Sequence, residues 1–418
     1  MTVSKMAQNL IGSEIIKVAG EVNAMIAKGE PICNLTIGDF NPSIYPIPAE
    51  LRQGITKAYE QGHTNYPPAN GVAVLRKAVV AFTKEKLGLE YPENDILVAG
   101  GSRPLIYATY LALIDPGDKV VYPTPSWNNN HYCHLSGATP VEVKTRPENN
   151  FMPTAGDVRP HLKGATMLAL CSPLNPTGTM FSKKDLEEIC DLVLEENRSR
   201  AEGEKPLYIL YDQIYWMLTF GNAEHYDPVS LRPDIRDYVV YIDGASKCFA
   251  ATGVRVGYAF GPAVVMDKMK SILGHVGAWA PKAEQMAMAE FLQQPQAVDG
   301  FMNEFKPKIQ ESLDALFNAF QELKKDGFPV DAIAPMGAIY LSVKIDLADK
   351  TTPDGKVLQS SQDVTSYVLH EAKLAVVPFS AFGSSRDLNW FRLSVGGASL
   401  EEIKDSLGRL RVALERLQ

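Results

Sequence analysis

The chain has 418 residues, 45% of them hydrophobic and 22% charged, and a formal charge of −8 at pH 7. This composition excludes a disordered or collagen-like chain, and the acidic balance excludes a dedicated nucleic-acid binder, which needs a basic face. At roughly 100–200 residues per domain the length implies two or three domains, enough to bury a core without disulfide or metal staples.

Taken in order, residues 1–20 have their apolar positions interrupted by Glu14 and Lys17, unlike a signal peptide. No stretch of about 18 apolar residues occurs that would span a membrane. The spacing of Ile15, Ile16, Ala19, Val22 and Ile26 predicts a helix over 13–28. NLTIGDFNPSIYPIP follows as a proline-punctuated connector. From about residue 95, short apolar runs (DILVAGG, KVVYPTP, TPVEVK, TMLALCSP, LYILYDQ, YVVYIDGA, VGYAFG) alternate with helical patterns such as PLIYATYLALI and KKDLEEICDLVLEEN. That alternation predicts a largely parallel sheet with helices on both faces, ending near residue 300. A helix over 305–325 and the runs AIYLSVKI, LAVVPF and WFRLSVG then predict a smaller α+β unit, with ADKTTPDGKVLQSS as a polar loop.

The five cysteines (Cys33, Cys133, Cys171, Cys190, Cys248) are scattered, the closest two 19 residues apart. No CxxC or zinc spacing results, and an odd set reads as reduced thiols of a cytoplasmic protein. No metal site and no membrane partner are expected. GxGxxG after a strand and GxxxxGK[ST] are both absent. Tyr340 and Lys344 have YxxxK spacing, but inside a β-like run, where it reads as coincidence.

In open α/β sheets ligands bind at the carboxyl ends of strands. Asp212 ends an almost wholly apolar strand, where a carboxylate needs a cation or a hydrogen bond; the plain alternative is a helix N-cap. Lys247 ends another, a candidate imine-forming amine because desolvation lowers its pKa, or else a solvated loop lysine. Gly101-Ser102-Arg103-Pro104 joins a strand to a helix, with Ser102 as N-cap and Pro104 at the first helical position; free N–H groups at such a start bind phosphate. Ser246, Lys247 and Arg255 together suit an anion beside a reactive carbonyl. Asn175, in the rigid turn CSPLNPTG, is a turn residue able to present its amide to a ligand. Trp127 reads as core. Arg392 stands inside an apolar strand pattern, where an arginine needs an anion and can grip a carboxylate with two hydrogen bonds.

In chain order these stretches (LTIGDF, NYPPANGVAVLR, VAGGSRPLIY, DPGDKVVYPTPSW, SPLNPTG, YDQIY, GASKCFAATGVRVGY, GAIYLSV, FRLSVGG) resemble the class I/II aminotransferases, pyridoxal-phosphate enzymes of the aspartate aminotransferase fold. The resemblance runs from about Leu35 to the C-terminus. It rests on the order and spacing of Asn175, Asp212, Tyr215, Lys247, Arg255 and Arg392. It implies an α/β fold of type I: a large domain with a mostly parallel seven-stranded sheet sandwiched by helices over 48–300, and a smaller α+β domain from 1–47 and 301–418.

The resemblance also implies pyridoxal 5′-phosphate as cofactor, held by Lys247 as a Schiff base. The freed Lys247 amine would shuttle the proton. Asp212 would pair with the pyridinium nitrogen, Asn175 and Tyr215 with the phenolic oxygen, and Trp127 would stack on the ring. Gly101, Ser102, Arg103, Ser246 and Arg255 would hold the phosphate. Arg392, with Gly38 and Asn175, would bind the substrate carboxylate. Tyr66 would reach the phosphate of a neighbouring subunit, which implies a homodimer with shared sites. TGVR stands where the family often has TGWR, and Ser102-Arg103-Pro104 where small residues are usual. The expected activity is transfer of an α-amino group between an amino acid and a 2-oxo acid. A lyase on the same fold and cofactor is the first rival. A non-catalytic regulator binding the same cofactor is the second; only about 30 residues precede LTIGDF, with no basic helix-turn-helix.

Overall fold

The computed structural model describes residues 3–10 and 14–418, with the backbone alone for 14–18. Seven strands form the larger sheet: β1 (Ile96–Ala99), β2 (Lys119–Thr124), β3 (Thr139–Lys144), β4 (Ala165–Cys171), β5 (Tyr208–Asp212), β6 (Val239–Gly244) and β7 (Gly257–Phe260). Their order is β1-β7-β6-β5-β4-β2-β3. All pairs are parallel except those of β7, which runs antiparallel to β1 and β6. Each expected apolar run of this region is one of these strands.

The central strands lack polar alternation because both faces are buried. Leu168, Leu170, Ile209 and Tyr211 point into one core with Leu186 and Ile189. Their neighbours Met167, Ala169, Leu210 and Ile242 point into the other with Leu105, Ile106 and Met269. The covering helices follow the rules of capping and spacing. Lys183–Ser199 starts behind Ser182, whose side chain accepts from the N–H of Asp185, and buries Leu186, Ile189, Cys190, Val193 and Leu194 on one stripe.

The smaller sheet is antiparallel: β8 (Val330–Ala332), β9 (Tyr340–Ile345), β10 (Val377–Pro378) and β11 (Trp390–Ser394), in the order β10-β11-β9-β8. A separate parallel pair joins Cys33–Asn34 to Leu374–Ala375. LAVVPF is therefore not one strand. Its first half pairs with the N-terminal connector and its second half with β11, because two partners claim successive residues.

Four other expectations are refined. The helix expected over 305–325 runs from Pro295 to Lys325: Pro295 stands in its first turn, and Val298 and Met302 extend the stripe of Phe305 and Ile309. In helix Glu14–Ala27 the buried residues include Val22 and Met25, whereas Ile26 is 44% exposed. Ser13, the expected start, and the side chains of Ile15 and Ile16 lie outside the described residues. The polar loop closes on itself through a bridge between Thr351 and Val357. Finally, Gly101, not Ser102, occupies the cap position of helix Ser102–Leu113, and Pro104 is its third residue, not its first; glycine takes the φ of 97° there and, having no side chain, leaves the first-turn N–H groups uncapped. No described helix is long and apolar enough to cross a membrane.

Candidate active site

One cavity of 660 Å³ opens at the carboxyl ends of β2, β4, β5 and β6, and residues of the small sheet close its other side. Its lining includes Gly38, Ser102, Arg103, Trp127, Asn175, Asp212, Tyr215, Ser246, Lys247, Arg255 and Arg392. The antiparallel turn of β7 explains how Arg255 joins residues from parallel strands. Gly257 pairs with both Ala99 and Gly244, so the start of β7 lies at the carboxyl edge of its neighbours. Gly257 is required there, since a Cβ would meet the backbone of Gly101 and Ser102. Arg255, with φ 57°, donates to the carbonyls of Thr252 at 2.7 Å and Gly100 at 2.8 Å. A Cβ on Gly101 would overlap its guanidinium. Beside it are the first-turn N–H groups of helix Ser102–Leu113, which have no intrahelical acceptor.

Lys247 sits on the short turn Ala245–Cys248 directly after β6. Its Nζ donates to the carbonyl of Gly38. Burial pulls its pKa down to about 8; Arg392, Arg103 and Arg255 pull the same way and Asp39 opposes them. Asp212 closes β5. Its Oδ1 accepts from the N–H of Ile214 at 3.1 Å, and no cation pairs with it among the described residues. Burial pushes its pKa up to about 6, against the pull of that N–H and of Lys247. Of the cation or hydrogen bond expected for Asp212, the structure supplies the hydrogen bond, from Ile214, and the carboxylate lines the cavity.

Arg392, on β11, is 1% exposed, and burial lowers its pKa. It donates to the Asn175 amide oxygen at 3.1 Å and to the carbonyl of Thr36, and its guanidinium lies between the rings of Tyr340 and Phe382, 4.7 and 4.9 Å from their centroids. Nε has no partner. Donors therefore remain for an anion, on a group clamped in plane by two rings. Trp127 stands beside Phe382, with the Arg103 guanidinium 5.2 Å from its ring centroid.

Tyr66 is not in the cavity lining. It is 81% exposed and packs edge-on against Trp279. Conversely, several lining residues were given no individual role from the sequence, although the resemblance puts the polar stretch Asn128-Asn129-Asn130-His131 near the substrate. Tyr340 places its hydroxyl 2.6 Å from that of Tyr215. Asp39 accepts from Thr252 Oγ1 at 2.6 Å. Asn129, bonded to Ser126 and Tyr110, lines the wall beside Trp127. The stretch GAIYLSV contains Tyr340, but a tyrosine in an apolar strand reads as core. Lys344, its YxxxK mate, pairs with Asp346 outside the cavity.

Residues 30–410 match the family model for aminotransferase class I and II. An aspartate aminotransferase of Rhizobium meliloti is 29% identical over 408 residues, covering 97% of this chain and 94% of the relative. A probable aspartate/prephenate aminotransferase of Rhizobium leguminosarum bv. phaseoli is 29% identical over 96% of this chain and 95% of its own length. Among solved structures, the Rhizobium meliloti aspartate aminotransferase superposes with a TM-score of 0.91 at 27% identity, covering 100% of both chains. The Thermus thermophilus aspartate aminotransferase with maleate gives 0.86 at 26%, covering 99% of this chain and 100% of that one. The match along the chain, with a half-buried lysine and carboxylate and two anchored arginines gathered in one cavity of this fold, places it in the class I and II aminotransferase family.

Proposed function

We propose that this protein moves an α-amino group from an amino acid to a 2-oxo acid with pyridoxal 5′-phosphate, the cofactor of the aspartate aminotransferases it resembles. The observation that carries the reading is the desolvated Lys247 amine in one cavity with the half-buried Asp212 carboxylate. The residues present fit the cofactor. Arg255, Ser246 and the free N–H groups at the start of helix Ser102–Leu113 make an anion cradle kept open by Gly101. Asp212 is a half-buried carboxylate without a cation, the acceptor that a pyridinium N–H needs. Trp127 offers a ring face on the same wall.

Bound pyridoxal phosphate supplies an electron sink for the substrate α-carbon. The chain supplies the rest. Lys247, nearly half neutral close to pH 8, is the nucleophile that holds the cofactor and then the base that takes and returns the proton at the substrate α-carbon. Asp212 holds the ring nitrogen protonated. Tyr215 and Asn175 donate to the phenolic oxygen. Arg392 grips the substrate carboxylate, with Gly38 closing beside it, and so fixes which α-carbon bond faces the ring. Arg103 adds charge at the phosphate end. Two half-reactions share these groups, which predicts ping-pong kinetics.

The division into residues 48–300 and 1–47 with 301–418 belongs to the same reading; helix Pro295–Lys325 spans its C-terminal boundary and would connect the two parts. So does a homodimer: the exposed Tyr66 would complete the partner's phosphate site. Mixing inactive Tyr66→Ala and Lys247→Ala proteins should restore activity through one intact site per mixed dimer; no recovery on mixing removes the shared site. Free, scattered cysteines support a cytoplasmic location.

The deciding experiment is an absorption spectrum of the loaded protein titrated with a panel of amino acids, aspartate first, since the relatives are named for it. True donors bleach the visible band with stoichiometric 2-oxo acid. Borohydride should fix the cofactor covalently to Lys247 and leave Lys247→Ala unlabelled. Release of ammonia or pyruvate from a cysteine conjugate, without 2-oxo acid, would make it a lyase.

A further inference from the structure

Tyr340 is a buried polar group of the cavity wall to which the mechanism above gives no task. Its hydroxyl meets that of Tyr215 at 2.6 Å and has no other partner, and the two rings cross edge to face with centroids 5.6 Å apart. Both side chains are almost fully buried, at 1% and 2% exposure. The space is reserved for this contact: a Cβ on Gly38 would overlap the Tyr340 hydroxyl.

Two phenols that share one hydrogen bond must divide the roles of donor and acceptor. The Arg392 guanidinium lies over the Tyr340 ring, 4.7 Å from its centroid, and eases the loss of electron density that donation requires. The role given to Tyr215 above commits its one proton to the cofactor's phenolic oxygen, so in the loaded protein Tyr340 is the donor across this contact and Tyr215 the acceptor. That leaves the single Tyr215 proton free for an acceptor in the cavity, and a hydroxyl that accepts one hydrogen bond donates a stronger one.

We propose that Tyr340 is a positioning residue that aims and strengthens the Tyr215 hydroxyl toward the cofactor's phenolic oxygen, and so sets the pH at which the cofactor centre loses its proton. The proposal rests on the role given to Tyr215 above. It makes a chain from Arg392, the carboxylate-binding group on the small sheet, through Tyr340 to Tyr215 behind β5. Tyr340 does not touch the reacting atoms in this account.

The test is the pH midpoint of the visible band of the loaded protein. Tyr340→Phe keeps the ring that Arg392 packs on and removes only the donor. Its midpoint should rise by about 0.3–0.6 in pH, in the same direction as Tyr215→Phe but by less. The KM for the amino donor should stay within about twofold, because the guanidinium keeps its stacking partner. Tyr340→Phe added to Tyr215→Phe should move the midpoint no further. A second variant guards against a packing defect: 3-fluorotyrosine at position 340, a stronger donor of nearly the same shape, should move the midpoint down. An unchanged midpoint in both Tyr340 variants, or a Tyr340→Phe shift that persists at full size without the Tyr215 hydroxyl, overturns the proposal. Failure of the underlying reading looks different: the wild type itself would show no visible band.

Discussion

Arg392 on β11 of the small sheet donates to the amide oxygen of Asn175, in the turn that follows β4 of the large sheet, at 3.1 Å. The two residues are 217 positions apart in the chain. This bond turns the Asn175 side chain so that its oxygen is engaged and its NH₂ is left for a ligand. It also holds the guanidinium at the meeting of the two sheets, where the proposed function puts the α-carboxylate of a substrate.

Arg392→Ala should therefore lower kcat/KM for every amino donor alike by about 10²–10³, the loss of two charge-assisted hydrogen bonds. Arg392→Lys should recover little of it, because an ammonium cannot present the planar fork. Steady-state kinetics over several donors checks this. A loss confined to one donor would mean that Arg392 reads the substrate side chain instead.

Lys247 has its pKa lowered to about 8 by burial. The neutral amine is the form that captures an aldehyde, so cofactor capture should speed up as pH rises and level off above about 8. At pH 7.5 about a quarter of such a lysine is neutral, against about one in a thousand for an ordinary one. Stopped-flow reconstitution of the cofactor-free protein between pH 6 and 9.5 (about three and a half decades in proton activity) measures the midpoint. A rate still climbing steeply at the upper end would put the amine in solvent.

Asp212 titrates the other way. Its pKa is raised to about 6 by burial, so the folded protein holds this proton more tightly than the unfolded chain. Its contribution to stability is fully present below the ordinary carboxylate range and is lost as pH rises through about 6. Asp212→Asn keeps an oxygen for the Ile214 N–H but cannot ionise. The cofactor-free variant should melt a few degrees above the cofactor-free wild type at pH 7.5, a gain of about 2 kcal/mol. That difference should vanish near pH 4 (about the ordinary carboxylate pKa), and activity should be lost at every pH. Calorimetry at the two pH values decides, and equal melting temperatures at pH 7.5 would show the carboxylate to be well solvated.

Gly101 has φ 97° and no room for a Cβ beside the Arg255 guanidinium. Gly101→Ala should displace Arg255 and loosen the turn before helix Ser102–Leu113. We expect the cofactor dissociation constant to rise at least about tenfold, equivalent to about 1.4 kcal/mol. Fluorescence titration with the cofactor measures it, and added inorganic phosphate should compete less well than with wild type. An unchanged constant would take the phosphate away from this turn.

The large sheet and its site were legible because burial on both faces writes a strand as a continuous apolar run, and a polar residue ending such a run stands out. Asp212 and Lys247 stand out in that way, whereas Asn175 was read from the rigid turn that holds it. Arg392 did so for the opposite reason, as a charge inside an apolar pattern. Tyr340 gave no such contrast, since a tyrosine suits a buried strand on packing grounds alone. Its meaning depends on a hydroxyl contributed from 125 positions away. The split of LAVVPF between two sheets was equally silent, because adjacent residues of one pattern can take different partners.

The sequence by itself determined which residues carry charge and reactivity into apolar surroundings and the layered α/β class, because periodicity, turn chemistry and the cost of burying charge are local properties; the family came from the resemblance of its motifs in chain order. Only the tertiary structure decided that β7 runs backwards and so brings Arg255 to the start of helix Ser102–Leu113. It alone joined Arg392 to Asn175 and Tyr215 to Tyr340. Those are hydrogen bonds between groups far apart in the chain, and their partners are chosen by how the two sheets pack against each other.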